Sequence, residues 1–155
     1  NLPYMKNKYL ILIIVLITFI TSCDKNNDEK ETNNPITFVN IGKSALYGGG
    51  TEGISASNLV ITNNNDWQNL ITQMNSVNNV SDNFAEIDID FNEYMLIALI
   101  LDVKGNGWEV EISEIIETET EITVSKQETE SVTLVITQPF HIVKIPKNDK
   151  SVVFQ

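Results

Sequence analysis

The chain has 155 residues, which is enough for one globular domain in addition to a short leader. Ten basic residues oppose 21 acidic ones, so the formal net charge is −11, and none of the basic residues is arginine. Such a chain lacks both the basic face that neutralises nucleic-acid phosphates and the usual bidentate clamp for a phosphate group. We therefore expect no nucleic-acid partner.

The first segment has the order of a secretory signal. A basic start at residues 5–8 leads into a run at 9–20 that is apolar except for Thr18, and then into two small or hydroxylated residues. As a helix, residues 9–22 would span about 21 Å, whereas the hydrocarbon core of a membrane is roughly 30 Å thick. The pattern predicts a signal peptide over residues 5–22 and not a transmembrane helix.

The only cysteine of the chain follows this segment directly. The stretch "ITSC", residues 20–23, resembles the lipobox of bacterial lipoproteins, in which cleavage before the cysteine leaves its thiol as a thioether to diacylglycerol. We therefore predict that Cys23 is lipidated, which leaves no thiol for catalysis, metal binding or a disulfide. Two or three acyl chains would make a durable membrane anchor. The mature chain would carry eight lysines against 21 acidic residues, a net charge of −13.

Residues 24–35, "DKNNDEKETNNP", contain no apolar residue except the final proline. Such a segment cannot bury a face, so residues 23–35 are predicted to be a lipidated, disordered tether. Acidic residues here also resemble the surface-export signal of Bacteroidota lipoproteins, at Asp24, Asp28 and Glu29. We predict a lipid-anchored protein of the cell envelope, in the outer membrane and displayed on the surface, with the periplasmic face as the alternative.

Residues 36–155 are predicted to form a single domain. Two β-branched runs, at 36–46 and 58–62, predict strands separated by a glycine-rich turn. The next stretch predicts a helix near residues 66–76, with Asn65 or Asp66 as its N-cap. Its apolar residues recur at helical spacing: Trp67, Leu70, Ile71 and Met74.

The second half of the domain has the character of a sheet. "YMLIALIL", residues 94–101, is apolar at every position and predicts a strand buried on both faces. Gly105, Asn106 and Gly107 then predict a hairpin turn, and the alternation that follows predicts further strands through 132–136, with a bulge or strand end near 115–116. Together these elements predict an α+β fold that is mostly antiparallel β-sheet, with about six to eight strands and one helix.

Two motifs resemble ligand-binding sites but lack an element that such a site requires. The glycines of "GGGTEG" match a dinucleotide motif, yet no helix follows to hold the pyrophosphate. Asp88 and Asp90 in "DIDFNE" have the alternate spacing of a calcium loop, but Glu93 stands where glycine is required and Leu99 where a bidentate glutamate is required. We expect these acids to flank a strand entry with Ile87, Ile89 and Phe91 turned inward. We predict no metal site there and no cofactor.

The single histidine and the glutamate-rich stretch complete the candidates. His141 lies in line with apolar residues of a strand, which is typical of a buried, hydrogen-bonded histidine and not of a catalytic one. The glutamates over residues 109–121 alternate as on a solvated strand face, although a hairpin could bring them together around a cation. We therefore predict that the chain is not an enzyme.

A succession of motifs resembles the PrcB C-terminal domain family. These motifs are "NLVITNNNDWQNL", "IDFNEYMLIALIL", "GNGWEVEISEI" and "TQPFHIVKIPK", and together they cover most of residues 55–154. Asn106 replaces the first glycine of the usual pair, and Trp108 and Phe140 stand where tyrosine is common. The resemblance implies a lipoprotein subunit that stabilises a surface protease complex without cleaving anything itself.

Two hypotheses about function follow. The first is a non-enzymatic, lipid-anchored module that stabilises another envelope protein, which the resemblance suggests is a protease, by covering apolar surface or by adding a strand to a sheet edge. Its expected contact residues are Trp108, Phe140 and His141, beside the turn at 105–107. The alternative is an acidic domain that binds a cation or a small ligand through its glutamates or near Asp88.

Overall fold

The structure is a computed structural model that describes residues 32–155. Cys23, the predicted signal peptide and most of the predicted tether lie outside the described residues. Glu31–Gln155 forms one compact unit.

Eight strands, one α-helix and a short 3-10 helix make up the described part of the chain. In chain order they are β1 (Asn34–Pro35), β2 (Val39–Leu46), β3 (Ser57–Ile61), α1 (Asn64–Met74), the 3-10 helix (Val80–Asn83), β4 (Tyr94–Ile100), β5 (Glu109–Glu117), β6 (Glu121–Thr129), β7 (Gln138–Pro146) and β8 (Ser151–Phe154).

The strands form two four-stranded sheets. Sheet A has the order β1-β5-β6-β8 and sheet B the order β2-β7-β4-β3. All neighbouring strands are antiparallel except β6 and β8, which are parallel. The prediction of a mostly antiparallel β fold with one helix is confirmed. Its division into two sheets was not predicted.

Sheet B lies in the middle of three layers and has an apolar core on each face. Leu96, Ala98 and Ile100 of β4 pack in the cluster that contains the buried residues of α1. Their neighbours Met95, Ile97 and Leu99 pack in a second cluster with β5 and β6 of sheet A. A strand covered on both faces can be apolar at every position, as predicted, and each fully buried aliphatic side chain contributes about 1.5–3 kcal/mol.

The helix begins two residues before the predicted start, so neither predicted N-cap is right. Asn63 has an extended backbone (φ −148°, ψ 157°), and its side-chain oxygen accepts the N–H of Asp66 at 3.0 Å. It therefore fills the N-cap role that we expected of Asn65 or Asp66. The predicted buried face is confirmed for Trp67, Leu70, Ile71 and Met74.

Three local predictions need correction. The turn at 105–107 is not a hairpin, because it joins β4 of sheet B to β5 of sheet A and these strands do not pair. Residues 132–136 belong to no strand. The bulge in β5 lies between Ile112 and Glu114, slightly before the predicted position.

A fourth correction concerns the entry to β4. Ile87 is 37% exposed, whereas Ile89 is buried as predicted. The carbonyl of Ile87 accepts the indole N–H of Trp67 at 2.8 Å. The backbone of Ile87, and not its side chain, thus ties this segment to the helix.

Candidate functional site

The crossing from β4 to β5 brings the chain close to residues 131–137. Asn106 and Gly107 both have positive φ (68° and 64°), whereas Gly105 does not, and the N–H of Gly107 donates to the carbonyl of Val135 at 3.1 Å. A Cβ on Gly107 would overlap the side chain of Thr133. Glycine is therefore required at 107 for close approach as well as for conformation.

Trp108 is half-buried and held in place by Lys104. The Lys104 Nζ lies 4.0 Å from the centre of the indole ring, a cation–π contact, and is also 2.7 Å from a carboxylate oxygen of Glu128. The indole is thus fixed before any partner arrives, which lowers the entropy lost on binding.

Trp108 lines a cavity of about 570 Å³, which we call the Trp108 cavity. Its walls also come from the end of β2, from Tyr47 and from residues 131–137. Thr137, on this wall, is buried, and its hydroxyl has no hydrogen-bond partner among residues 32–155. A buried polar group without a partner costs about 1–3 kcal/mol.

The outer side of the same segment carries three aliphatic side chains in the open. Val132 is 100% exposed, Leu134 95% and Ile136 62%. We call these three residues the apolar strip. The alternate residues Thr133, Val135 and Thr137 line the Trp108 cavity. The alternation that suggested a strand is therefore real, but its apolar side faces solvent and not the core.

The other two predicted contact residues are buried. Phe140 is 1% exposed and His141 3% exposed, and Phe140 packs edge to face against Phe84. A partner would reach these side chains only by opening the sheets around them. Among the three predicted contact residues, only Trp108 is partly exposed.

His141 instead connects the two sheets. Its Nδ1 accepts the backbone N–H of Ile112, beside the bulge in β5, at 2.7 Å. The proton must then sit on Nε2, which lies 3.2 Å from the side-chain oxygen of Asn40. Burial, helped by the nearby charge of Lys43 and opposed by Glu111, lowers the pKa of His141 to about 4. Both ring nitrogens are engaged, so the imidazole is neutral and structural at pH 7.

Some of the glutamates of sheet A are paired with lysines. Glu111 lies 2.9 Å from Lys43 and Glu117 3.0 Å from Lys150, and these hydrogen-bonded partners lower the pKa of both carboxyl groups. A hydrogen bond from Asn148 is the larger cause at Glu117. No group of three or more carboxylate, imidazole or thiol side chains within residues 32–155 is placed to hold a metal ion.

Asp88 and Asp90 are both exposed. Asp90 closes a local turn, because its Oδ1 accepts the backbone and side-chain N–H groups of Asn92 at 2.9 and 3.0 Å. The spacing that resembles a calcium loop is thus used for a turn before β4.

A buried carboxylate fills the glycine-rich loop at 48–53. Glu52 is 5% exposed, and its Oε1 accepts the N–H of Gly48 at 2.7 Å. Its carboxylate occupies the space that a side chain at Gly48 would need. A phosphate brought to this loop would meet that negative charge, which agrees with our interpretation of the motif as a turn and not a nucleotide site.

The sequence did not predict that the apolar strip, Tyr47 and the edge strand β2 lie on one surface. One signal was present, since residues 131–140 form a run without a single charged side chain in an otherwise acidic chain. That run was interpreted as a strand and its continuation. Nothing in the sequence indicates that residues 132–136 belong to no strand.

Comparison with family models, with curated proteins and with solved structures gives no match for this chain. The resemblance to the PrcB C-terminal domain family therefore stays a prediction from the sequence. Within the part of the chain that the structure describes, no helix combines the length and the apolar character needed to cross a membrane.

Proposed function

We propose that the chain is a non-enzymatic, lipid-anchored envelope protein whose domain binds and stabilises another protein. The observation that carries this proposal is the apolar strip: three aliphatic side chains exposed in a row beside a cavity with a fixed tryptophan. Contiguous exposed apolar surface of this kind marks interaction sites in folded proteins. The resemblance to the PrcB family supports an envelope protease as the partner.

Chemical features of the surface favour a protein partner over a cation. Three carboxylates of sheet A are held in separate ion pairs: Glu111 with Lys43, Glu117 with Lys150 and Glu128 with Lys104. Capturing them would require breaking these pairs. The apolar strip needs no such rearrangement, and burying one of its leucine-sized side chains contributes about 1.5–3 kcal/mol to binding.

The test is a pull-down from native membranes in mild detergent, with a tag at the C-terminus. Leu134→Asn should lower the recovery of a stoichiometric partner, because losing about 1.5–3 kcal/mol of binding energy weakens affinity by about tenfold or more. Val60→Asn is the matched control, since Val60 is also exposed but lies on β3, at the opposite edge of sheet B from β2. Cys23→Ala should release the chain from the membrane fraction.

Two results would contradict the proposal. One is the absence of any partner in near-equal amount from membranes that contain the intact chain. The other is an equal loss of partner with Leu134→Asn and Val60→Asn, which would point to a general effect of polar substitution. Both exposed variants should unfold within about 0.5 kcal/mol of the unaltered chain, so folding does not confuse the comparison.

A further inference from the structure

The strand β2 is an edge of sheet B, and its backbone can be oriented from the pairing of its neighbours. Beyond the ends of the β4–β7 ladder, Leu101 donates to the carbonyl of Pro139 and Lys147 donates to that of Glu93. The odd-numbered residues of β7 therefore face β4, and its even-numbered residues face β2.

The same alternation continues into β2. Phe140 pairs with Ser44, so the backbone groups of Ser44 point toward β7. Those of Lys43 and Ala45 consequently point away from the sheet. No backbone hydrogen bond within residues 32–155 joins them to another segment. One further contact agrees with this orientation: the carbonyl of Ile41, two residues earlier, accepts the N–H of Ala85 at 2.9 Å.

Ala85 thus occupies at Ile41 the place that an added strand would take, and no other described residue pairs with the edge beyond it. The open part is flanked by a cavity on each face of sheet B. The Trp108 cavity lies on the side of sheet A, and a second cavity of about 320 Å³ lies on the other side, over Phe84 and Phe140. Both cavities have Lys43, Ser44 and Ala45 in their walls.

We infer that the partner adds an extended segment to β2, with its backbone on Lys43 and Ala45. The side chains of a strand alternate between the two faces of its sheet, so successive residues of the added segment would enter the two cavities in turn. Main-chain hydrogen bonds would then supply affinity and the cavities would supply selectivity. This inference rests on the proposed function, because it specifies how the bound protein is held.

The two cavities define the chemistry of the added segment. The second cavity has Phe84, Phe140 and Val80 in its walls together with asparagines, and its one lysine, Lys43, is paired with Glu111, so it fits an apolar side chain. The Trp108 cavity carries the carboxylate of Glu109, while its only lysine is already paired with Glu111. Charge complementarity therefore favours a lysine or arginine that enters on that side. Proline is excluded where the segment must donate a hydrogen bond to β2.

The test uses a phage-displayed library of random peptides, selected against the full chain in mild detergent. A selected peptide is synthesised, and its affinity is measured for the unaltered chain and for two variants at one position. Ala45→Pro removes the outward N–H, and Ala45→Ser keeps it as the matched control. Loss of a main-chain hydrogen bond and steric blocking of the edge should weaken binding by at least about tenfold in the proline variant only.

Amide hydrogen exchange on the unaltered chain gives a readout that does not depend on a variant. The N–H groups of Lys43 and Ala45 should exchange quickly alone and become protected with the peptide, whereas that of Ser44 should be protected throughout. If Ala45→Pro fails to fold, the exchange pattern of the unaltered chain alone tests whether the peptide pairs with β2.

The inference is overturned if selected peptides bind without protecting Lys43 and Ala45, or if Ala45→Pro binds as well as Ala45→Ser. It is also overturned if selection yields no binding peptide. These results would not contradict the proposed function. In that case the pull-down would still recover a partner, and its recovery would depend on Leu134 and not on Ala45.

Discussion

The buried histidine makes the stability of this domain depend on pH in a defined direction. The pKa of His141 falls from 6.5 to about 4 on folding, chiefly because burial disfavours the imidazolium. Between these values the unfolded chain binds a proton that the folded chain does not, so acid favours unfolding. The stability that His141 provides is complete above about pH 6.5 and is lost as the pH falls toward 4.

The magnitude follows from the size of the pKa change. One pKa unit corresponds to 1.36 kcal/mol, so a fall from 6.5 to about 4 is worth about 3 kcal/mol. Protonation would also place a hydrogen on Nδ1, which now accepts the N–H of Ile112, and would turn that contact into a clash of two donors. An effect of this size is a large fraction of the stability of a small domain.

The assay is urea unfolding of Glu31–Gln155 at several pH values, followed by the fluorescence of the buried Trp67. His141→Asn is the comparison, because its side-chain oxygen can take the place of Nδ1 but cannot be protonated in this range. Between pH 7 and pH 4 the unaltered domain should lose about 3 kcal/mol more than the variant. The carboxylates titrate in both proteins and cancel in the difference. Parallel stability curves, or an imidazole that titrates near 6.5 by NMR, would refute the reasoning.

Two further predictions concern local structure. Gly48→Ala should destabilise the domain by about 1–2 kcal/mol, because the new methyl group displaces the Glu52 carboxylate from the N–H of residue 48. In a Glu52→Ala background that cost should largely vanish, and additive effects in this double-mutant cycle would contradict the contact. Asn63→Ala should cost about 1 kcal/mol by removing the N-cap of α1, whereas Asn65→Ala should cost much less, as unfolding in urea can show.

The buried elements could be predicted because they carry a periodic signal. The unbroken apolar run of β4 indicated a strand covered on both faces, and the spacing of Trp67, Leu70, Ile71 and Met74 indicated the helix. Its exact start could not be predicted, since Asn63, Asn65 and Asp66 are all good N-caps. Only the extended backbone of Asn63 distinguishes it from the others.

The pairing of strands could not be read from local pattern. Gly105, Asn106 and Gly107 have the conformational freedom of a hairpin turn, and positive φ at two of them agrees with that prediction. A turn sequence states how sharply the chain bends but not which strands lie beside each other. Here the chain leaves one sheet and enters the other, and this crossing creates the Trp108 cavity.

The exposure of the predicted contact residues also depends on packing that the sequence does not show. Trp108, Phe140 and His141 come from two of the motifs that carry the family resemblance, but their burial depends on how the two sheets pack. Sheet A covers the face of β7 that bears His141. The core that contains the buried residues of α1 covers the opposite face, which bears Phe140. Trp108 escapes burial because it stands before β5 begins.

The charge pattern gives a physical reason for the location of the proposed binding surface. A net charge of −11 repels an acidic partner and makes desolvation of most of the surface costly. Residues 131–140 contain no charged side chain, and this run supplies both the apolar strip and one wall of the Trp108 cavity. A partner that covers Val132, Leu134 and Ile136 therefore removes water from aliphatic groups while the ion pairs of sheet A stay hydrated. The part of the binding energy that comes from the apolar strip should then depend only slightly on salt, whereas a basic side chain beside Glu109 would add a contribution that salt screens.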